Sequence, residues 1–238
     1  MKKTVFKLIA LLCITAFVSA FLFSCTERQK INGALENTNS LEFLDCDLYW
    51  SIKIKDGTYK EESRVQEKIL INGEEILVSS NEYGSDEKSV IYADGQSVYL
   101  DNGDEIALTE YNSQNVSLDN SIRGLLTTHP RQLFDLARVD NINGKLKLSV
   151  GLEPVPFRAV LDTFLTGMEK QLDMVSEDAS IEYSDCQLEI IVSGDYVSQV
   201  NVSFTAEKKS EDLPKEARVT VSLNINDPGK EVIVNKPQ

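Results

Sequence analysis

The sequence predicts an α+β fold: one large, curved, antiparallel β-sheet with one long and two short helices on its concave face. Three observations predict it. Apolar and polar residues alternate in about eleven short runs, as strands with one buried face require. Asp-Gly and Asn-Gly pairs separate several of those runs, which is hairpin chemistry. One segment repeats its apolar residues with a helical period over about 18 residues.

The elements follow in order. Residues 26 to about 40 are polar and aperiodic, and predict a tether. Cys46, Leu48, Trp50, Ile52 and Ile54 then alternate with polar neighbours, so the even positions of the first strand face inward. Asp56-Gly57 turns into a strand carrying Val65, Ile69 and Ile71, and Asn72-Gly73 turns again. Strands follow at 75–81, 88–93, 96–100 and 105–109, completing a six-strand meander. Ile122, Leu125 and Leu126 predict one short helix. Leu133, Phe134, Leu136 and Ala137 predict another, with Pro130 in its first turn. Asn143-Gly144 precedes a strand on Leu146, Leu148 and Val150.

The long helix carries Phe157, Val160, Leu161, Phe164, Leu165, Met168, Leu172 and Val175 on one face. Its other face carries Arg158, Asp162, Glu169, Lys170 and Asp173. Strands on Leu188–Val192, Val200–Ala206 and Ala217–Ile225 come next, with a charged loop at Lys208–Lys215. Asp227-Pro228-Gly229-Lys230 then turns into a last short strand at 231–235. Nothing rich in Gly, Pro or Ser divides residues 41–238, which favours one domain. A β-sandwich with an inserted helix and a pair of small α+β domains are the other architectures this order allows.

The start of the chain has its own pattern. Lys2, Lys3 and Lys7 precede an uncharged run of about 16 residues, shorter than a spanning helix of roughly 20. That is a signal peptide, residues 1–24. Its end, Leu22-Phe23-Ser24-Cys25, resembles the lipobox of bacterial lipoprotein precursors, with Leu three residues before the Cys and a small residue just before it. Phe23 is bulkier than the usual occupant. The resemblance implies cleavage before Cys25, a diacylglyceryl group on its thiol, and a domain tethered through 25–40 to the extracytoplasmic face of the bacterial cell membrane. Two other fates remain: cleavage after Val18-Ser19-Ala20, giving a secreted protein, or an uncut anchor. Lipidation of Cys25 leaves Cys46 and Cys186 as an even pair, whereas cleavage after Ala20 leaves three thiols.

The order of strands and helices over 41–236 resembles the LolA/LolB and LppX–LprG group of lipoprotein-handling and lipid-binding proteins. It is also similar to Gram-positive lipoproteins of unknown function. The resemblance implies an unclosed β-barrel with helices plugging its mouth, and a hydrophobic ligand inside it.

Charge and chemistry exclude more than they assign. Acidic residues number 38 against 24 basic ones, for a net charge of −14. A chain so acidic offers no positive stripe to a phosphate backbone, so no nucleic-acid partner is expected. The leader takes three lysines with it and no acid, so attachment to anionic membrane rests on acyl chains. No catalytic site, metal site or cofactor is expected. His129 is the single histidine, beside Pro130 and away from any nucleophile-elbow motif. The acidic stretches Asp101–Glu105 and Asp135–Asn143 lack the ligand spacing of a calcium loop. Cys46 and Cys186, both in phase with inward residues, are a candidate disulfide; two buried thiols are the other reading.

The expected function is a non-enzymatic lipoprotein that binds a lipid or acyl chain. Trp50, Phe157, Val160, Leu161, Phe164, Leu165 and Met168 are its candidate cavity residues. The alternative is a protein-interaction or structural module of the cell envelope.

Overall fold

The computed structural model describes residues 27–84, 88–94, 97–101, 106–110, 123–126, 136–171, 180–209 and 215–236. Eleven strands form one antiparallel sheet. They are β1 (Phe43–Asp56), β2 (Tyr59–Asn72), β3 (Glu75–Glu82), β4 (Lys88–Ala93), β5 (Ser97–Asp101), β6 (Ile106–Glu110), β7 (Arg138–Ile142), β8 (Lys145–Gly151), β9 (Ser180–Ser193), β10 (Tyr196–Lys209) and β11 (Lys215–Asn226). Helix α1 covers residues 27–39, and α2 covers Pro154–Gln171.

The order across the sheet is β6-β5-β4-β3-β2-β1-β11-β10-β9-β8-β7. Every neighbour but one is also a neighbour in sequence, which two successive meanders produce. The exception joins the first strand to the last, with pairs running from Asp45↔Asn226 to Asp56↔Lys215. β6 and β7 are the two edges, so the sheet does not close.

The strands form where the residues alternate. On β1, Leu44, Cys46 and Ile52 are buried while Tyr49 and Lys53 are exposed. On β11, Ala217, Val219, Val221, Leu223 and Ile225 all enter the core, and Val200, Val202, Phe204 and Ala206 meet them from β10. The turn residues serve as expected: Asn143 and Gly144, between β7 and β8, have φ of 54° and 81°, the left-handed pair of a tight hairpin. Between β9 and β10 the register slips, so Phe204 faces Asp185 and Cys186 together. Asp185 takes φ 53° there, and the bulge increases the local bend of the strand.

Four expectations are corrected. The expected tether over 25–40 is corrected over its described part: residues 27–39 are helical, and Ile31, Ala34, Leu35 and Thr38 are buried on one face. Residues 231–235 are not a strand; they run as irregular chain over the outer face, where Asn72 Nδ2 donates to the Val232 carbonyl at 3.2 Å. β7 is an additional strand, legible in hindsight only through Val139. Cys46 and Cys186 are free buried thiols. β11 and β10 lie between their strands, three steps or roughly 14 Å of sheet. Cys186 also sits level with Phe204, Val219 and Ile52, six positions along β1 from Cys46, so no disulfide can join them.

The first short helix is a single turn at 123–126 with Leu125 and Leu126 buried. Most of the second, including Pro130, lies outside the described residues. So do the leader, Cys25, His129, Leu172, Val175 and most of the 208–215 loop.

Candidate functional site

The concave face is packed unequally. Where β8–β11 line it, it is filled. α1 docks at one end: Thr38 Oγ1 donates to the Ala34 carbonyl at 2.7 Å and accepts the Val197 N–H at 2.8 Å. Asn37 Nδ2 reaches the Asp195 carbonyl, and the Arg123 guanidinium closes the C-terminal end of α1 through the carbonyls of Asn39 and Leu41. α2 docks at the other end. Phe157 is fully buried, with its ring 5.4 Å from that of Phe204 and 5.9 Å from that of Tyr183.

α2 departs from helical geometry at Leu161 (φ −117°, ψ 23°). Arg158, just before that bend, pairs with Asp162 at 3.0 Å and with Glu169 beyond it. The Tyr183 hydroxyl also donates to Glu169. Burial, reinforced by that bond, raises the Tyr183 phenol above its ordinary range. Glu169 therefore does not belong to a solvated face, as its place in the polar stripe predicts. It is 7% exposed and is satisfied by Arg158 and Tyr183.

Where β1–β4 line the concave face, burial is mixed: Cys46, Ile52, Ile69, Ile71 and Val78 are buried, and other inward residues are not. Leu48, Trp50, Val65, Ile76 and Ile91 are half-buried on the inward side of their strands. Among them sits one acid, Glu67, opposite Leu48 on β1 and Ser80 on β3. Ser80 Oγ donates to it at 3.0 Å, and the Trp50 side chain donates to it as well. Burial raises the Glu67 carboxyl above its usual range, and these two hydrogen bonds only partly counter that; no neighbouring charge enters the balance. The strip is thus apolar, aromatic at one point, and carries a single uncompensated acid.

The predicted cavity residues divide between these two regions. Phe157, Leu161, Phe164, Leu165 and Met168 are 0–9% exposed and packed as core. Trp50 and Val160 are half-buried at its margin. Glu67 was missed, because one acid in an alternating strand reads as surface.

The outer face has a depression of about 390 Å³. Tyr49, Ser51, Arg64, Gln66, Asn81, Tyr83, Thr220 and Ser222 line it together with Trp50 and Val65 of the strip, and Gln66 Nε2 donates to the Tyr49 hydroxyl. Among the described residues no group of His, Cys, Asp and Glu is arranged to hold a metal ion, and no helix is long and apolar enough to cross a membrane.

The fold defines a class: an open antiparallel sheet curved around helices on its concave side. Solved structures of this class resemble the chain over most of its length. LprF from Mycobacterium bovis is 7% identical, with a TM-score of 0.43, over 89% of this chain and 97% of that one. The lipoprotein LppX from Mycobacterium tuberculosis is 9% identical, with a TM-score of 0.35, over 88% and 98%. A LolA superfamily protein from Nitrosomonas europaea is 11% identical, with a TM-score of 0.30, over 84% and 93%. No family model and no curated protein matches the sequence.

Proposed function

We propose that this chain is an extracytoplasmic lipoprotein, anchored through a diacylglyceryl group on Cys25, that binds a lipid or acyl chain without acting on it. The observation that carries the reading is the half-buried apolar strip of Leu48, Trp50, Val65, Ile76 and Ile91 on the concave face. A water-facing role gives no reason to turn these side chains inward and leave them incompletely packed. An acyl chain laid along them removes their remaining surface from water, at roughly 25 cal/mol per Å² of apolar area. In this reading the apolar face of α2, from Phe157 to Met168, is the packed wall beside the ligand, and Val160 is its exposed margin.

Cys25 is two residues from the first residue of α1. A lipid on its thiol would hold the domain close to the bilayer, with almost no free chain between them.

Native mass spectrometry of residues 26–238, which keeps every described residue, tests the ligand. A bound acyl lipid, retained after purification or acquired from vesicles, supports the reading; an apo mass before and after incubation contradicts it. Labelling of cells with radioactive palmitate tests the anchor, since Cys25→Ala should abolish incorporation.

A second reading rests on the outer depression. Tyr83 is 83% exposed and Tyr49 42% exposed beside it, an aromatic pair suited to a partner protein in the envelope. Crosslinking in whole cells from a photoreactive residue at position 83 tests it.

A further inference from the structure

Glu67 is a chemical exception in its surroundings. On β2 the inward residues near it are Val65, Ile69 and Ile71. Facing it from β1 are Leu48 and Trp50; facing it from β3 are Val78 and Ser80, with Glu82 the nearest acid on the same side. No described cation lies on that side of β1, β2 or β3, and no charged neighbour influences the carboxyl. Two donors, the Trp50 indole and the Ser80 hydroxyl, bind it. A carboxylate has about four acceptor positions, so roughly two stay unused. An acid in an apolar strip with unused acceptors is costly to keep unless something else completes it.

We infer that Glu67 sets the polarity of the ligand's head: the strip takes a lipid whose polar end donates a hydrogen bond, a hydroxyl or an ammonium, and discriminates against one ending in a carboxylate. This rests on the lipid-binding reading and adds the headgroup class to it. The chemistry is direct. A hydroxyl or ammonium beside Glu67 fills the unused acceptors. A carboxylate in the same place puts two acids together, and one of them must take up a proton to stay.

Three probes with one C18 tail separate the alternatives: oleyl alcohol, oleylamine and oleate. Each is titrated below its critical micelle concentration, at pH 8, against residues 26–238 carrying a displaceable fluorescent naphthylamine. The parent protein should bind the alcohol and the amine at least tenfold more tightly than oleate. Glu67→Gln keeps the size and hydrogen-bonding reach of the side chain and should bring the alcohol-to-oleate ratio below threefold. Glu62→Gln removes the same charge from the outer face and should leave that ratio unchanged.

Equal affinities for the three probes in the parent would overturn the inference while leaving the lipid-binding reading intact. So would a ratio that survives in Glu67→Gln, or one that Glu62→Gln also abolishes, because global charge would then account for the preference. No binding of any probe would remove both. The ranking in the parent is itself a test, so the inference stays open to refutation even if Glu67→Gln folds poorly.

Discussion

Arg158 and Glu169 stand eleven positions apart on α2, yet their side chains form an ion pair. The bend at Leu161 makes this contact achievable, because eleven residues of straight helix would span roughly 16 Å. The pair fastens the two halves of α2 to each other and, through the Tyr183 hydroxyl, to β9.

Removing Arg158 should therefore cost more than a surface ion pair does. Glu169 would stay buried with only the Tyr183 hydroxyl to satisfy it. Arg158→Ala should lower unfolding stability by about 2–3 kcal/mol, somewhat below the usual cost of breaking a buried pair, since Arg158 is part-exposed and Tyr183 remains. A surface pair such as Lys209–Glu182, screened by solvent on both sides, should cost far less when broken. Urea unfolding of both variants makes the comparison.

α1 should prove structural. Leu35 is fully buried on it, and Leu35→Ala should cost about 3 kcal/mol, in the range of core truncations. Thr38→Val leaves the buried Val197 N–H without its acceptor and should cost about 1–3 kcal/mol. A tether would show neither loss. Thermal melts of the two variants distinguish a docked helix from a frayed one.

The acids Glu67 and Glu189 should respond to pH in opposite directions. Burial raises the Glu67 carboxyl, so between the unfolded and the raised folded value the folded chain keeps a proton that the unfolded chain releases. Its contribution to stability falls as pH rises from the unfolded carboxyl range, about 4.3, through the raised folded value. Glu67→Gln should gain stability at pH 7 relative to the parent, and the gain should vanish in acid. Glu189 is held low, chiefly by the Lys147 ammonium, with Asn201 and Ser149 assisting. Its contribution is present above the unfolded range and is lost as pH falls through the folded value. Glu189→Gln should lose stability at pH 7 and match the parent in acid. Denaturant unfolding of the three proteins at pH 7 and pH 3 checks both signs.

The two thiols should be inert in the folded state. Burial pushes Cys46 up to about 12 and Cys186 up to about 11, with nearby Asp45 and Asp185 adding to the effect. The thiolate is the reactive form, and at pH 8 almost none is present. Iodoacetamide should leave both unmodified in native buffer and modify both in urea. Rapid labelling in native buffer would show that these strands open.

The fold was legible where one face of a strand is buried. The alternation of β1, β9, β10 and β11 marks their inward residues directly. α1 was misread as a tether: Ile31, Ala34, Leu35 and Thr38 have helical spacing, but eight polar residues and Gly33 at the other positions hide that four-residue stripe. The final run failed for the opposite reason: Val232 and Val234 alternate as in a strand, yet the segment crosses the outer face instead of joining an edge. Of the site, Trp50 was visible through its alternation. Glu67 and Glu169 were not, because a buried acid is distinguished by its partners, Trp50 and Ser80 for one and Arg158 and Tyr183 for the other, and partners meet only in the folded chain.

Trp50 is the single tryptophan of the chain and stands on the strip proposed to hold the ligand. Its fluorescence is the most direct measurement of that proposal. Residues 26–238 are titrated with a lipid bearing a dibrominated stearoyl chain, whose bromines quench only at contact, and with its unbrominated counterpart. The account predicts saturable quenching of more than half the Trp50 emission by the brominated lipid alone. Quenching no greater than that of free N-acetyltryptophanamide under the same conditions would contradict it.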